Sequence, residues 1–261
     1  MAILSTSLGP IGIERCGEGG VPLLFLHGVG SDRHAWAPQM AAFGDERLAI
    51  AIDWPGYGDS GFIADATRIT FAEAALAVLD ALGIERAHVC GLSLGGVIAL
   101  RMAADAPDRI ASLVLADTFA VHPEGRAIYD RSLAGAASLG LAGLAEARAD
   151  ALLAQPADSA TRAEVVATMS RIDPAAYALA AAAVWLADQR AEAADIAHPT
   201  LILHGSEDHI TPAALSDELK TLIPHAALVE ITGAGHLPNL EQPAIFNRVL
   251  ASFLSGVEEK P

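Results

Sequence analysis

Only two cysteines, Cys16 and Cys90, occur in 261 residues. No disulfide framework can therefore hold the chain together, and a reduced, cytoplasmic setting is expected. Lysine is equally scarce: Lys220 and Lys260 are the only two among 16 basic residues, which face 32 acidic ones for a net charge of -16. Such a field repels phosphate backbones and anionic lipid surfaces, which argues against nucleic acid or a membrane as partner. Long apolar runs are missing too. The longest uncharged ones, Ala87 to Leu100 and Pro174 to Ala187, fall short of the roughly 20 residues needed to cross a bilayer. Met1 to Pro10 has neither a basic stretch nor a long apolar one, so it does not read as a signal peptide.

What is present is 52% hydrophobic, enough to bury a sizeable core and unlike a disordered chain. Short β-rich runs recur at Val21 to Leu26, Leu48 to Ile52, Ala87 to Cys90, Leu113 to Ala116, Thr200 to Leu203 and Ala227 to Ile231. Each is apolar enough to be buried on both faces of a sheet. Apolar residues at helical spacing lie between them, over Ala35 to Phe43, Phe71 to Leu82, Gly95 to Ala106 and Ala213 to Ile223, and Pro243 to Phe253 closes the chain. The alternation predicts an α/β fold with a mostly parallel central sheet and helices on both faces. Ile11 to Glu14 is expected to add an antiparallel edge strand, and Gly256 to Pro261 to fray.

One stretch breaks the alternation. Residues 134 to 194 hold 24 alanines and almost no β-branched clusters, which predicts helix. An insertion this long cannot be a simple crossover, which needs only about a dozen residues. It is read as a helical cap, residues 119–198, over a core made of residues 1–118 and 199–261.

The chemistry concentrates at predicted strand ends. Gly91-Leu92-Ser93-Leu94-Gly95-Gly96 joins a strand to a helix, and a serine at such an elbow projects its hydroxyl at the helix N-terminus. That hydroxyl is a poor nucleophile without a base and a carboxylate to orient the base. Asp208, in the loop after Thr200 to Leu203, is the candidate acid, with Asp117 at the neighbouring strand end as the alternative and Glu207 pointing elsewhere. His236, between Gly235 and Leu237 in the loop after Ala227 to Ile231, is the candidate base, with His204 and His209 as rivals. An oxyanion needs two N–H donors. Leu94 follows the serine, and Val29 lies in the glycine-flanked loop His27-Gly28-Val29-Gly30, where His27 reads as a structural anchor. Asp53 to Ser60 reads as a tight turn with Trp54 at the pocket rim. Tyr177, Trp185 and Leu237 are further candidates for substrate contact, beside the cap's Met169, Ile172, Leu179 and Leu186. Of the cap arginines Arg126, Arg131, Arg148, Arg162, Arg171 and Arg190, any one pointing inward would clamp a substrate carboxylate.

Taken together, His27-Gly28, the Asp53 to Ser60 turn, the Gly91 to Gly96 elbow, Gly205-Ser206-Glu207-Asp208 and Gly235-His236 resemble the α/β-hydrolase fold superfamily in its small capped bacterial form. The resemblance covers about Gly12 to Leu254 and implies a cap inserted after the sixth strand. It further implies Ser93 as nucleophile, Asp208 as acid, His236 as base, Val29 and Leu94 as oxyanion hole, and neither cofactor nor metal. Ala35-Trp36-Ala37-Pro38-Gln39, Cys90-Gly91-Leu92-Ser93 and Asp173-Pro174-Ala175-Ala176-Tyr177 are similar to 3-oxoadipate enol-lactonases and related esterases. The expected activity is hydrolysis of a small ester or lactone. Carbon–carbon bond hydrolysis and cofactor-free haloperoxidase or perhydrolase chemistry are the alternatives on the same fold. The first usually has Trp where Leu237 stands. Ser93 in place of a carboxylate argues against dehalogenation and epoxide opening. A binding protein on the same scaffold is the non-enzymatic alternative.

Overall fold

A computed structural model describes residues 2–259. Among them, eight strands form one sheet: β1 (Ala2–Thr6), β2 (Gly9–Cys16), β3 (Leu23–Leu26), β4 (Ala49–Ile52), β5 (Ala87–Leu92), β6 (Ile110–Ala116), β7 (Thr200–Gly205) and β8 (Ala227–Ile231). Their spatial order is β1-β2-β4-β3-β5-β6-β7-β8. β2 pairs antiparallel with β1 and β4, and every other pairing is parallel. The helices are α1 (Ala37–Phe43), α2 (Arg68–Ala81), α3 (Leu94–Asp105), α4 (Gly125–Leu152), α5 (Ser159–Ser170), α6 (Pro174–Trp185), α7 (Arg190–Ala194), α8 (Ala213–Leu222), α9 (Pro238–Glu241) and α10 (Pro243–Glu258).

The strands are apolar at consecutive positions because both faces are covered, as parallel sheets require. Side chains of alternate residues enter different cores. Leu24, Leu26, Ile50, Ile52, Val89 and Leu115 pack with Phe71 and Val78 of α2 and Val97 of α3. Leu23, Phe25, Ala49, Ala51, Cys90 and Val114 pack on the other face with Met40 of α1 and Phe246, Leu250 and Leu254 of α10. The alanine-rich helices α4 to α7 lie between β6 and β7, and α6 packs against α2 and α3. Gly140, at φ 66°, kinks α4 into two helical pieces. No helix among the described residues is long and apolar enough to cross a membrane.

Three expectations need correction. The segment Ile11 to Glu14 lies within β2, which is interior; the edge belongs to β1, registered from Ala2 opposite Ile13 to Thr6 opposite Gly9. The residues of β1 are exposed or half-buried, so no apolar alternation marked it. β8 is not buried on both faces: only Ile231 is, because the strand sits at the margin of the sheet with one neighbour. Gly256 to Glu258 do not fray but end α10, where the Glu258 carboxylate accepts from Arg47 Nη1 at 2.6 Å and lies 3.1 Å from His88 Nε2. The final two positions of the expected frayed tail lie outside the described residues.

Candidate active site

β5 runs through Leu92 and α3 begins at Leu94, so Ser93 alone makes the turn between strand and helix. Its backbone lies at φ 55°, ψ -114°, a region that costs a non-glycine residue about 1–3 kcal/mol and persists only when its surroundings enforce it. Here they do. Ser93 N donates to Ala116 O at 2.9 Å, and its carbonyl accepts from Gly96 N, Val97 N and the Thr118 hydroxyl. The glycines permit the close approach: a Cβ on Gly95 would lie 2.0 Å from Leu26 O, and one on Gly91 would lie 2.2 Å from Gly95 O.

The loops after β7 and β8 bring Asp208 and His236 together, with His236 Nδ1 2.8 Å from Asp208 Oδ2. Both side chains are buried. Asp208 Oδ1 accepts from the N–H groups of Ile210 at 2.7 Å and Thr211 at 3.1 Å, and the Thr211 hydroxyl donates to Oδ2. Burial opposes ionisation of this carboxyl, but the facing His236 and these hydrogen bonds outweigh it and hold the group well below the usual carboxylate range. With Nδ1 committed to Asp208, Nε2 is the nitrogen left to exchange a proton. Ser93 and His236 line one cavity.

Asp117, the alternative acid, ends β6 one strand away, and its Oδ1 accepts from Gly205 N at 2.8 Å. Burial first, then the charge of Asp208, push its carboxyl well above the ordinary value, which disfavours the ionised form. The His236 hydrogen bond goes to Asp208. Asp117, Asp208 and His236 each offer a ligand atom within 4.8 Å of the others, but the facing Nδ1 and Oδ2 already bond each other, so the cluster reads as a hydrogen-bond network rather than a metal centre. Of the rival histidines, His204 is buried 3.9 Å from Glu230 and His209 is exposed at a second cavity.

The loop after β3 carries Val29. His27 Nδ1 lies 2.8 Å from Gly28 O, while His27 Nε2 faces the Trp54 N–H at 3.3 Å. Nε2 must therefore accept and Nδ1 donate. Burial lowers the His27 pKa, which keeps this neutral tautomer. Anchoring Gly28 O turns the Val29 N–H of the same trans peptide the opposite way. Among the described residues neither the Val29 N–H nor the Leu94 N–H has an acceptor outside regular helix and strand pairing, and Leu94 stands at the first position of α3, where a helix leaves its N–H groups unpaired.

The cavity is lined by Trp185 and Leu237 together with Val29, Leu92, Val165 and Met169. Trp54 and Tyr177 are not on its wall. Trp54 is fully buried with its indole N–H on His27 O at 2.9 Å, so it supports the loop instead of reaching the rim. Tyr177 is buried behind Arg148, whose Nη1 donates to its hydroxyl oxygen at 3.0 Å. Arg148 lines the cavity, and the remaining cap arginines pair with carboxylates: Arg126 with Asp130, Arg131 with Glu124, Arg162 with Glu146 and Asp150, Arg171 with Asp32, Arg190 with Asp188.

Glu241 escaped sequence reasoning. It accepts from Ala154 N at 2.7 Å, Gly235 N at 3.0 Å and Leu237 N at 3.2 Å, bracketing His236. His236 N itself donates to Leu152 O at 2.9 Å. An acidic residue in the first turn of a helix directly after the candidate base was the available signal.

This fold and site define the alpha/beta hydrolase fold family, which matches residues 21–243, and the chain belongs to it. It is 30% identical over 244 residues to 3-oxoadipate enol-lactonase 1 of Acinetobacter baylyi, covering 92% of this chain and 91% of the relative. It is 32% identical over 249 residues to the dihydrolipoyllysine-residue acetyltransferase component of the acetoin cleaving system of Pseudomonas putida, covering 92% of this chain and 65% of that longer protein. Among solved structures, the enol-lactonase from Burkholderia xenovorans LB400 superposes with a TM-score of 0.90 at 28% identity, over 97% of this chain and 100% of that one.

Proposed function

We propose that this hydrolase cleaves a small carboxylic ester or lactone through Ser93, His236 and Asp208. His236 Nε2 takes the Ser93 proton as the hydroxyl oxygen attacks the carbonyl carbon, and the N–H groups of Val29 and Leu94 receive the negative charge that develops on the carbonyl oxygen. Collapse expels the alcohol, protonated by His236, and leaves an acyl group on Ser93. Water deprotonated by His236 then releases the acid. Residues 119–198 act as a cap that closes the acyl group away from solvent.

One observation carries the reading: the buried His236–Asp208 pair opens on the same cavity as a serine fixed at a strained elbow. Ser93→Ala is expected to lower turnover of aryl esters by roughly 10³ or more while the fold is retained, and to abolish labelling by a fluorophosphonate. Undiminished hydrolysis by that variant overturns the proposal. A binding protein on the same scaffold would take no label at Ser93 in the unaltered chain.

A further inference from the structure

Two cavities meet under the inserted helices. One holds Ser93 and His236, and the other opens beside the loop after β7, with Ile128, Leu144, Ile210 and Pro212 on its wall. Among the described residues, Arg148 and Trp185 alone line both. Arg148 is tethered, since its Nη1 donates to the Tyr177 hydroxyl oxygen at 3.0 Å. Trp185 has no such tie: its indole N–H is buried without an acceptor. The side chain is only 2% exposed although it borders both cavities, so it fills the space between them rather than projecting into either.

The ring is placed by shape. Trp185 ends α6, and a Cβ on Gly125 would lie 2.0 Å from Trp185 O, so α4 begins directly against this carbonyl and anchors the backbone. The indole stacks on Phe119 at 5.7 Å and 19° and meets the His122 ring edge-on at 5.6 Å and 84°. Contacts of this kind hold a ring through area and quadrupole, with no directional hydrogen bond among them. An unpaired buried donor is itself a cost, which the fold accepts at the one point where the two cavities would otherwise run together.

The space behind the ring suits an alkyl chain. Four of its wall residues, Ile128, Leu144, Ile210 and Pro212, are apolar, and two of its charged ones, Arg131 and Glu124, pair with each other at 3.8 Å. It is also close to the chemistry, because the Ile210 N–H on that wall donates to Asp208 Oδ1 at 2.7 Å. We propose that Trp185 sets the length limit of the substrate, and that the cavity behind it is a subsite for the far end of an alkyl chain, closed to the reacting ester while the ring stands in place. The unaltered enzyme is thereby held to short-chain esters or lactones. This rests on the ester or lactone reading above and adds a length rule residing in one side chain.

The test compares 4-nitrophenyl decanoate with 4-nitrophenyl butyrate, reading nitrophenolate release as the ratio of the two kcat/KM values. Decyl and butyl acetate, followed by acid release, give the same ratio for a chain on the alcohol side. The unaltered enzyme should favour the short chain in both series. Trp185→Ala should raise the long-to-short ratio in at least one series by about tenfold or more, which burying roughly two further methylenes supplies. Trp185→Phe, which keeps a ring on Phe119, should raise it by a smaller factor and carries the test if the alanine variant does not fold. Ile128→Trp added to Trp185→Ala should refill the second cavity and bring the ratio back down. Leu186→Ala, at the exposed neighbour of Trp185, should leave it unchanged. In parallel, decanoate and butyrate binding to Ser93→Ala is measured by calorimetry with and without Trp185→Ala; both ligands carry the same charge, and the decanoate preference should rise by about tenfold or more. If no ester is hydrolysed the proposed activity fails, while the binding ratio still decides the role of Trp185. The inference is overturned by an unaltered enzyme that prefers the long chain, by ratios that ignore Trp185 in both series, by an equal rise in Leu186→Ala, by a gain that survives Ile128→Trp, or by a binding preference that Trp185→Ala does not move.

Discussion

Burial and the neighbouring Asp208 charge raise the native pKa of Asp117 well above the ordinary value, and this makes a stability prediction with a definite sign. In the unfolded chain the same carboxyl ionises near pH ~3.9. Between that value and the raised native one, the native state binds a proton that the unfolded state has released, so stability falls as pH rises through the window. The loss is about 1.4 kcal/mol for each pH unit. Asparagine copies the shape of the neutral acid: its Oδ1 can accept from Gly205 N, as Asp117 does at 2.8 Å, and its amide can donate towards Asp208 in place of the acid proton. It cannot ionise in the unfolded chain. Asp117→Asn should therefore match the unaltered protein near pH 4 and gain on it as pH rises, by roughly 3–5 °C in Tm per pH unit within the window. Thermal unfolding of both proteins from pH 4 to 7 is the assay. Parallel Tm curves, or a variant that loses ground as pH rises, would refute the neutral-acid assignment. Asp117→Ala, by contrast, strands the buried Gly205 N–H and should cost about 1–3 kcal/mol at every pH.

Other outcomes follow from the site. Gly95→Ala puts a methyl carbon 2.0 Å from Leu26 O, so β3 must shift and carry the Val29 loop with it; soluble yield and turnover should both collapse, and a fully active variant would show the elbow is looser than described. His27→Ala releases the Gly28–Val29 peptide and, under the proposed role of the Val29 N–H, should lower kcat by about 10²-fold, the size of one lost oxyanion donor, with KM little changed. Glu241→Ala removes three backbone contacts around His236; stability in urea should drop by about 1.5–3 kcal/mol or more, as for hydrogen bonds to a charged group, with kcat falling further than the fraction unfolded explains. Arg47→Ala leaves Glu258 without its strongest partner, the Arg47 Nη1 contact at 2.6 Å, and should loosen the end of α10, read as faster amide exchange there.

Much of this was legible in the sequence because the signals were local. Consecutive apolar residues in β3 to β7 announced strands buried on both faces, and the alanine-rich stretch announced the inserted helices. Ser93, Asp208 and His236 each stand in the turn or loop that follows a parallel strand, with a glycine within three residues, so their approach to one end of the sheet follows once the sheet order is fixed. What stayed hidden depends on partners distant in sequence. Trp54 looked like a rim residue because a tryptophan in a turn often is, but its N–H is taken by His27 O. Tyr177 sits on α6 and meets Arg148 on α4 only through packing. β1 buries no residue fully, only Leu4 of it packing against the core while Ile3 is exposed, so its apolar signal is faint.

The inserted helices do not rest on the loops of Asp208 and His236 as a separable piece. At the end of α4 the chain gives Leu152 O to the His236 N–H and the Ala154 N–H to Glu241, while a Cβ on Gly235 would strike Ala154 N at 2.6 Å. The stretch from Leu152 to Ala154 is therefore as much a part of the mounting of His236 as the loop that carries it. Swapping the insert for that of a relative in order to change substrate range would re-aim the imidazole unless those three positions stay with the host. Chimeras joined before Leu152 and after Ala154 mark where the modular part of this enzyme ends.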